Sequence, residues 1–166
     1  FSAYGALVTR LFLGTGFALG FEPGRAIAAN NGVLLTEVIY IKEGDNKRFI
    51  IVDAAMNDLI RPTLYDAYHS IVTISPPKKT IGRADIVGPV CETGDYLGLD
   101  REMPFLSTGD RLAVLSDGAY GAVMSSSYNT RPPATEIMVH NGRAHLLRAA
   151  RSINSLLADE TIPDFH

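Results

Sequence analysis

The longest run of alternating and β-branched apolar residues, 32–42, limits the folds open to this chain. It reads Gly-Val-Leu-Leu-Thr-Glu-Val-Ile-Tyr-Ile-Lys and predicts a long strand. A polar turn at 43–47 and a second apolar run at 48–53 follow, so the three segments predict a β-hairpin. Further short strands are predicted at 70–75, 84–90, 111–116, 135–139 and 144–148. Strands of this length between Gly- and Pro-rich turns are typical of an antiparallel barrel or sandwich.

Residues 1–31 carry a different pattern. Apolar Ala3, Leu7 and Leu11 have helical spacing and predict a helix over 1–13, which Gly residues end. The apolar run 17–21 predicts a buried strand, and 26–31 a brief helix. A helix followed by a buried strand is the end of an α/β unit. We therefore expect 1–25 to close an α/β domain and 26–166 to form a mainly β domain with some helix, including short helices after Pro62 and at 152–157.

Composition excludes several classes of function. The chain has 166 residues and a net charge of -3, so no basic surface for nucleic acid or anionic membrane is predicted. No apolar run is long enough to span a bilayer. The single cysteine cannot form an internal disulfide, which favours a reducing cytoplasm. Because the first residue is Phe1, we expect the chain to begin inside a longer protein.

The segment 88–95, Gly-Pro-Val-Cys-Glu-Thr-Gly-Asp, holds that cysteine beside Glu92. Cys91 is either a small buried apolar residue or a group that transfers protons. A neighbouring carboxylate disfavours a thiolate by like-charge repulsion, so a chemical role would be that of proton donor rather than nucleophile.

Three other clusters have both a chemical and a structural interpretation. The segment 22–25, Glu-Pro-Gly-Arg, either receives a phosphate or forms a salt-bridged turn. Arg61 and Tyr65 share a helical face, where they either bind a carboxylate or form an exposed ion pair beside a core tyrosine. Tyr120, between Gly118 and Gly121, either donates a hydrogen bond to a ligand or packs in a turn. The four histidines (His69, His140, His145 and His166) have no metal-ligand spacing, so we interpret them as surface or packing residues and predict no metal site.

Taken in order, the segments 22–25, 53–58, 61–69, 88–95, 118–121 and 126–132 resemble the diaminopimelate decarboxylase family. The resemblance implies a pyridoxal-phosphate enzyme of the alanine-racemase-like fold type, with an N-terminal (β/α)8 barrel and a C-terminal β domain. Residues 1–25 would be the last helix and strand of that barrel, and 26–166 the β domain. The implied reaction converts meso-2,6-diaminopimelate to L-lysine and carbon dioxide in a homodimer whose active sites are shared between subunits.

The resemblance also implies roles for particular residues. Glu22 would face the pyridine nitrogen and Arg25 the cofactor phosphate and substrate, with Pro23 and Gly24 in the same cofactor-binding segment. Arg61 and Tyr65 would bind the distal carboxylate, and Glu92 the distal ammonium. Cys91 would protonate the carbon that loses carbon dioxide, reaching with Glu92 into the partner's site. Tyr120 would contact both cofactor and substrate.

Two features depart from the family pattern. Position 117 is Asp where the family has a small residue. None of the four lysines (Lys42, Lys47, Lys78 and Lys79) resembles the lysine that forms the Schiff base with the cofactor. Two alternatives remain open: a relative acting on ornithine, arginine or carboxynorspermidine, and a non-catalytic dimerisation or regulatory module.

Overall fold

The computed structural model describes residues 1–74, 76 and 80–165. The helices are α1 (Ser2–Phe12), α2 (Gly24–Ala28), α3 (Arg61–Tyr65) and α4 (Ile153–Leu156), and single 3-10 turns cover Ala29–Asn31, Ala122–Met124 and Tyr128–Thr130. The strands are β1 (Val33–Glu43), β2 (Arg48–Val52), β3 (Ile71–Thr73), β4 (Ile81–Val87), β5 (Tyr96–Pro104), β6 (Arg111–Leu115), β7 (Glu136–His140) and β8 (Arg143–Arg148).

Six strands form one sheet in the order β3-β6-β1-β2-β4-β5. The long strand β1 pairs with β6 through its first half and with β2 through its second, and its register shifts between Val38 and Tyr40. A bulge of this kind bends a strand and increases its twist. The end strands β3 and β5 consequently come into contact, and the sheet is nearly closed. The mainly β fold and the first hairpin are confirmed.

The sheet is not wholly antiparallel, because β2 and β4 pair in parallel. Parallel neighbours cannot be joined by a tight turn and need a long connection. Residues 53–80 supply it, and α3 lies within this connection. The prediction of an antiparallel sheet is therefore wrong at one pair, the pair that places α3.

The core is formed by the inward-facing residues of these strands. Ile50 and Val52 alternate on β2, Leu112 and Val114 alternate on β6, and all four are fully buried. Successive side chains of a strand point to opposite faces, so the alternation seen in the sequence becomes one buried face. Each such side chain stabilises the fold by about 1.5–3 kcal/mol relative to an exposed one.

The first 25 residues differ from their prediction in one respect. Helix α1 is confirmed within one residue at each end, but 17–21 is not a strand. Phe17 is 76% exposed and Phe21 is 52% exposed, and no described strand pairs with the segment. A strand exists only where its backbone groups find partners, and the apolar run finds none in this part of the chain.

Strand β5 has no counterpart among the strands predicted from the sequence. Its centre is Asp100-Arg101-Glu102, which breaks the apolar alternation, and Asp100 has a positive φ of 51°. Strand β4 begins at Ile81, three residues before its predicted start at 84, and Pro89 lies beyond its end. The predicted strand 70–75 is observed as Ile71–Thr73. Ser75, Lys78, Lys79 and His166 lie outside the described residues.

The C-terminal hairpin β7–β8 is confirmed. Its turn residues Asn141 and Gly142 have positive φ values of 49° and 72°, as a two-residue hairpin turn requires. Helix α4 is also confirmed, and its N-cap Ser152 accepts a hydrogen bond from the Ser155 amide at 3.2 Å. Among the residues described, no helix is long and apolar enough to cross a membrane.

Candidate functional site

A cavity of about 660 Å³ opens beside α3. Its lining residues are Arg25, Arg61, Tyr65, Ala67, Tyr68, Tyr120 and Met124. Four of them were singled out from the sequence, although they come from three separate segments. Two guanidinium groups and three phenols supply charge and hydrogen-bond donors, so the cavity suits a ligand that carries more than one anionic group.

Arg61 and Tyr65 reach the cavity because α3 is a single short helix. Pro62 occupies its first turn, where the missing amide proton is not needed. Residues four apart lie on the same helical face, so both side chains point the same way. Asp66 then ends the helix in the left-handed conformation, with φ of 52°. The predicted helix and the shared face are confirmed.

Arg61 is held from behind by a buried histidine. Nη1 of Arg61 lies 3.1 Å from Nε2 of His69, and Nδ1 of His69 lies 2.9 Å from the carbonyl oxygen of Leu115. His69 is only 1% exposed, and burial is the main cause that lowers its pKa. The sequence predicts surface or packing positions for the histidines and gives no sign of this contact between His69 and Arg61. His140 and His145 are exposed, as expected.

Tyr120 and Arg25 are brought together by a close backbone contact. The amide of Asp117 donates to the Gly32 carbonyl and that of Gly118 donates to the Ala29 carbonyl, each at 3.0 Å. The segment after β6 therefore packs directly on the end of α2. Tyr120 itself has a positive φ of 65°, and it lines the cavity.

Asp117 turns away from the cavity instead of lining it. A Cβ added to Gly121 would lie 2.1 Å from Oδ1 of Asp117, so the carboxyl group occupies the space that this glycine leaves. That buried oxygen has no hydrogen-bond partner in the described structure. Burial, followed by repulsion from Asp58, raises the pKa of Asp117 to about 7, and Arg61 opposes the shift. The carboxyl group thus adds little negative charge to the site below neutral pH.

The other predicted cofactor residues lie at the start of α2 but do not line the cavity. Pro23 is the N-cap, and the amide of Gly24 donates to the Glu22 carbonyl at 2.8 Å. All three residues of the 22–24 segment are exposed. Only Arg25, one residue further on, reaches the cavity.

Cys91 and Glu92 lie on an exposed loop between β4 and β5, and a buried aspartate fixes that loop. Oδ2 of Asp95 accepts from the Val90 amide at 2.6 Å, and Oδ1 accepts from the Met56 amide at 2.7 Å. Gly94 packs on α3 so closely that a Cβ there would lie 2.7 Å from the Thr63 methyl group. The loop is thus well ordered beside the helix that carries Arg61.

The side chains of this loop are directed outward. Cys91 is exposed, and the hydroxyl of Tyr128 donates to Oε2 of Glu92 at 3.2 Å. The hydrogen bond to Glu92 is the main cause that raises the pKa of Tyr128. Neither Cys91 nor Glu92 lines the cavity described above.

The loop that carries Tyr128 is fastened by Arg131. Its Nε donates to Oδ1 of Asn57 at 2.8 Å, and its guanidinium lies 3.7 Å from Oδ2 of Asp58. Arg131 also donates to the Asp53 carbonyl. This loop lies in the segment 126–132, one of those that resemble the family. The contacts show that Arg131 joins it to the segment leading into α3.

Among the residues that the structure describes, the cavity wall contains neither a lysine nor a cluster of metal ligands. Lys47 forms an ion pair with the buried Asp85 at 2.5 Å, and Lys42 is exposed on β1. No lysine is among the described residues that line the cavity. Within the same described residues, no three His, Cys, Asp or Glu side chains cluster as metal ligands would.

Comparison with known proteins identifies related sequences and structures. Residues 25–118 match the family model described as pyridoxal-dependent decarboxylase, C-terminal sheet domain. The diaminopimelate decarboxylase of Zymomonas mobilis is 51% identical over 158 residues, which are 95% of this chain and 37% of that protein. The chain therefore spans little more than a third of the length of this curated relative.

Solved structures also superpose on nearly the whole of this chain. AQ1208 from Aquifex aeolicus superposes with a TM-score of 0.87 and 46% identity, over 94% of this chain and 39% of that one. Diaminopimelate decarboxylase from Helicobacter pylori, solved in complex with L-lysine, superposes with a TM-score of 0.84 and 40% identity, over 94% and 38% of the two chains.

Proposed function

The chain belongs to the pyridoxal-dependent decarboxylases, whose C-terminal sheet domain its residues 25–118 match, and we propose that its protein decarboxylates meso-2,6-diaminopimelate to L-lysine and carbon dioxide. The observation that carries the proposal is the joint placement of Arg61 and Tyr65 with Arg25 and Tyr120 on one cavity. Relatives about half identical over nearly the whole chain are named diaminopimelate decarboxylase, and one structure holds L-lysine, which supports this choice of substrate.

The donor set of the cavity fits pyridoxal phosphate at one end. Arg25 and Tyr120 would hold the cofactor, since a guanidinium and a phenol together match a phosphate and a ring hydroxyl. Glu22, three residues before Arg25, would hold a proton at the pyridine nitrogen. Pyridoxal phosphate, when bound, supplies the electron sink that allows a carboxylate to leave as carbon dioxide. We propose that the lysine that binds the cofactor belongs to the part of the protein not included in this chain.

Arg61 and Tyr65 would bind the other end of the substrate. The reaction removes one of the two carboxylates of diaminopimelate, and the carboxylate that stays becomes the α-carboxylate of lysine. A guanidinium and a phenol on one helical face can both donate to that remaining carboxylate. The pair would therefore bind substrate and product alike, and set the distance between the bound end and the reacting end.

Cys91 and Glu92 would act from the neighbouring subunit. Their loop is ordered by Asp95 but directed outward, away from the cavity of its own chain. We propose a homodimer in which Glu92 receives the distal ammonium. In the same site, Cys91 would give the proton at Sγ to the carbon that has lost carbon dioxide. The overall reaction consumes one proton for each carbon dioxide released, so a donor is required.

Arg61 also bears on the alternative substrates. Ornithine, arginine and carboxynorspermidine lack a carboxylate at the far end in the position where diaminopimelate has one. A buried or half-buried guanidinium left unpaired is costly, so a site built with Arg61 discriminates against them. A purely non-catalytic module would need neither the charged and phenolic side chains of the cavity nor the exposed Cys91.

The domain assignment is also part of the proposal. Helix α1 buries none of its residues, and the family-model match begins at Arg25. Both observations support residues 1–25 as the end of a (β/α)8 barrel and 26–166 as the β domain. We place the protein in the cytoplasm, where an exposed single cysteine stays reduced.

The test is an assay of the purified full-length gene product with pyridoxal phosphate. Lysine formed from meso-diaminopimelate is measured by chromatography, with ornithine, arginine and carboxynorspermidine in parallel reactions. We expect turnover of diaminopimelate alone. Cys91→Ala should lower kcat with little change in KM, while Ser127→Ala on a neighbouring loop serves as the control. Preference for ornithine or arginine, or no turnover of any substrate, would contradict the proposal.

A further inference from the structure

We propose that His69 is a positioning residue that, through one fixed tautomer, aims the guanidinium of Arg61 into the cavity. The inference rests on the proposed function for its substrate but on the structure for its geometry. His69 follows the helix that carries Arg61, and its ring stands between that guanidinium and strand β6.

The hydrogen-bond partners determine which ring nitrogen carries the proton. A guanidinium can only donate, so Nε2 of His69, 3.1 Å from Arg61 Nη1, must be the acceptor. A carbonyl oxygen can only accept, so Nδ1, 2.9 Å from the Leu115 oxygen, must carry the proton. Both contacts exist together only in the neutral ring protonated at Nδ1.

The anchor at the far side of the ring is rigid. Leu115 is the last residue of β6, and its amide donates to the Ser70 carbonyl at 2.8 Å. Ser70 is thus hydrogen-bonded to the same residue of β6 as the His69 ring. With 1% exposure, the imidazole cannot change rotamer without opening the core. Any displacement of Arg61 away from the cavity therefore has to break a hydrogen bond to a fixed acceptor.

Within the described residues, His69 is the hydrogen-bond partner of the Arg61 side chain, and its other donors can bind a ligand. No carboxylate forms an ion pair with it in the part of the chain that the structure describes, and Asp117 acts on it only through its field. A cation held by a neutral acceptor keeps its full charge for an incoming anion, which an ion pair would partly cancel. A guanidinium already held in place also loses less side-chain entropy on binding.

Two substitutions separate the two hydrogen bonds. In His69→Gln the side-chain amide reaches the position of Nε2 and can still accept from Arg61. In His69→Asn the shorter amide reaches only the position of Nδ1 and can still donate to Leu115. We expect His69→Asn to raise KM for diaminopimelate about tenfold, the effect of one hydrogen bond to a charged group, with kcat within about twofold.

His69→Gln should leave KM within about threefold of the wild type, because a neutral acceptor is retained. Equal losses in the two variants, or a harmless His69→Asn, would show that the ring serves only the core. The assays use the full-length gene product, and circular dichroism confirms that each variant folds.

The tautomer itself is measured without any assay of activity. Nitrogen-15 NMR of the ¹⁵N-histidine-labelled protein distinguishes a ring protonated at Nδ1 from one protonated at Nε2. We expect Nδ1 to carry the proton at neutral pH. A proton on Nε2 would overturn the inference even if the variants failed to fold. If the wild type did not turn over diaminopimelate while the tautomer agreed, the proposed function alone would fail.

Discussion

Gly118 lies so close to the end of α2 that a Cβ added to it would meet the carbonyl oxygen of Ala28 at 2.1 Å. The obstacle is backbone, which cannot rotate aside as a side chain can. Contact between the segment before Tyr120 and the helix that carries Arg25 therefore depends on a residue with no side chain. This close backbone contact brings Arg25 and Tyr120, which are far apart in the sequence, to one cavity.

We predict that Gly118→Ala separates Arg25 from Tyr120. Relieving the overlap requires α2 or the 116–121 segment to shift, and misplaced binding groups are expected to lower kcat/KM for diaminopimelate by about a hundredfold. Steady-state kinetics of the full-length protein measure the effect. Gly109→Ala is the matched control, because no atom lies within 4 Å of the position its Cβ would take, although its φ of 87° adds local strain. Similar kinetics for Gly118→Ala and wild type would contradict the role of this contact.

Arg61→Ala should lower kcat/KM for diaminopimelate. The expected decrease corresponds to a loss of roughly 2–4 kcal/mol in transition-state stabilisation, the range for a charge pair with hydrogen bonds. The same variant should bind lysine more weakly, since the proposed contact is to the carboxylate that lysine keeps. Isothermal titration with lysine and the decarboxylation assay measure the two effects. Arg83→Ala provides the comparison: this exposed arginine pairs with Asp100 on the surface, outside the cavity. An unchanged kcat/KM in Arg61→Ala would refute the assignment.

Asp95→Asn should loosen the loop that carries Cys91. Both oxygens of Asp95 accept backbone amides, so whichever way an asparagine turns, its NH2 group faces a donor. Two donors facing each other in a buried site cost about 1–3 kcal/mol. We expect a lower melting temperature and a lower kcat in the full-length protein. Asp45→Asn, in the exposed turn before β2, should change neither quantity.

Asp117 makes stability depend on pH in a defined direction. Its pKa in the folded state, about 7, lies above the ordinary value of 3.8, so the folded protein binds the extra proton. The stabilising contribution is fully present below pH 3.8 and is lost as the pH rises through about 7. Asp117→Asn has no such proton to lose.

The melting temperature of Asp117→Asn relative to wild type should therefore increase between about pH 5 and about pH 8. Differential scanning calorimetry on the full-length protein measures this difference. About two pH units separate pH 5 from the folded-state pKa of about 7. At 1.4 kcal/mol for each unit, and with a discount for partial exposure, the change in relative stability is roughly 1–3 kcal/mol. A difference that did not change with pH would mean that the carboxyl group is not held as the structure shows.

His69 leads to a prediction for acid pH. Burial, Arg61 and Arg101 lower its pKa below the ordinary 6.5, and only the Leu115 carbonyl opposes them. The neutral ring is therefore retained at neutral pH and is lost as the pH falls through the folded-state pKa. A protonated ring cannot accept from Arg61 and repels it.

We expect KM for diaminopimelate to rise as the pH falls through the pKa of His69, which burial holds below the ordinary 6.5. In His69→Gln this rise should be absent or much smaller, because the amide does not titrate. The pH profile of KM for the two proteins provides the measurement. Parallel profiles would assign the acid limb to a group other than His69.

The sequence by itself determined the local features of this protein. The hairpin at Asn141 and Gly142, the α3 face shared by Arg61 and Tyr65, and the alternating core of β2 follow from turn conformation, helical spacing and strand pleat. These depend on neighbours a few residues apart, which a sequence displays directly. The motifs in 22–25, 61–69, 88–95 and 118–121 likewise indicate the family from sequence alone.

Tertiary structure alone decided which of these residues meet. The parallel pairing of β2 with β4, the missed strand β5 and the unpaired segment 17–21 all depend on where partner strands lie. The same is true of the site: His69 acquires its role only because β6 places the Leu115 carbonyl behind it. Hydrogen bonds between distant segments have no signature in local sequence, since the donor and acceptor groups that form them occur in every residue of the backbone.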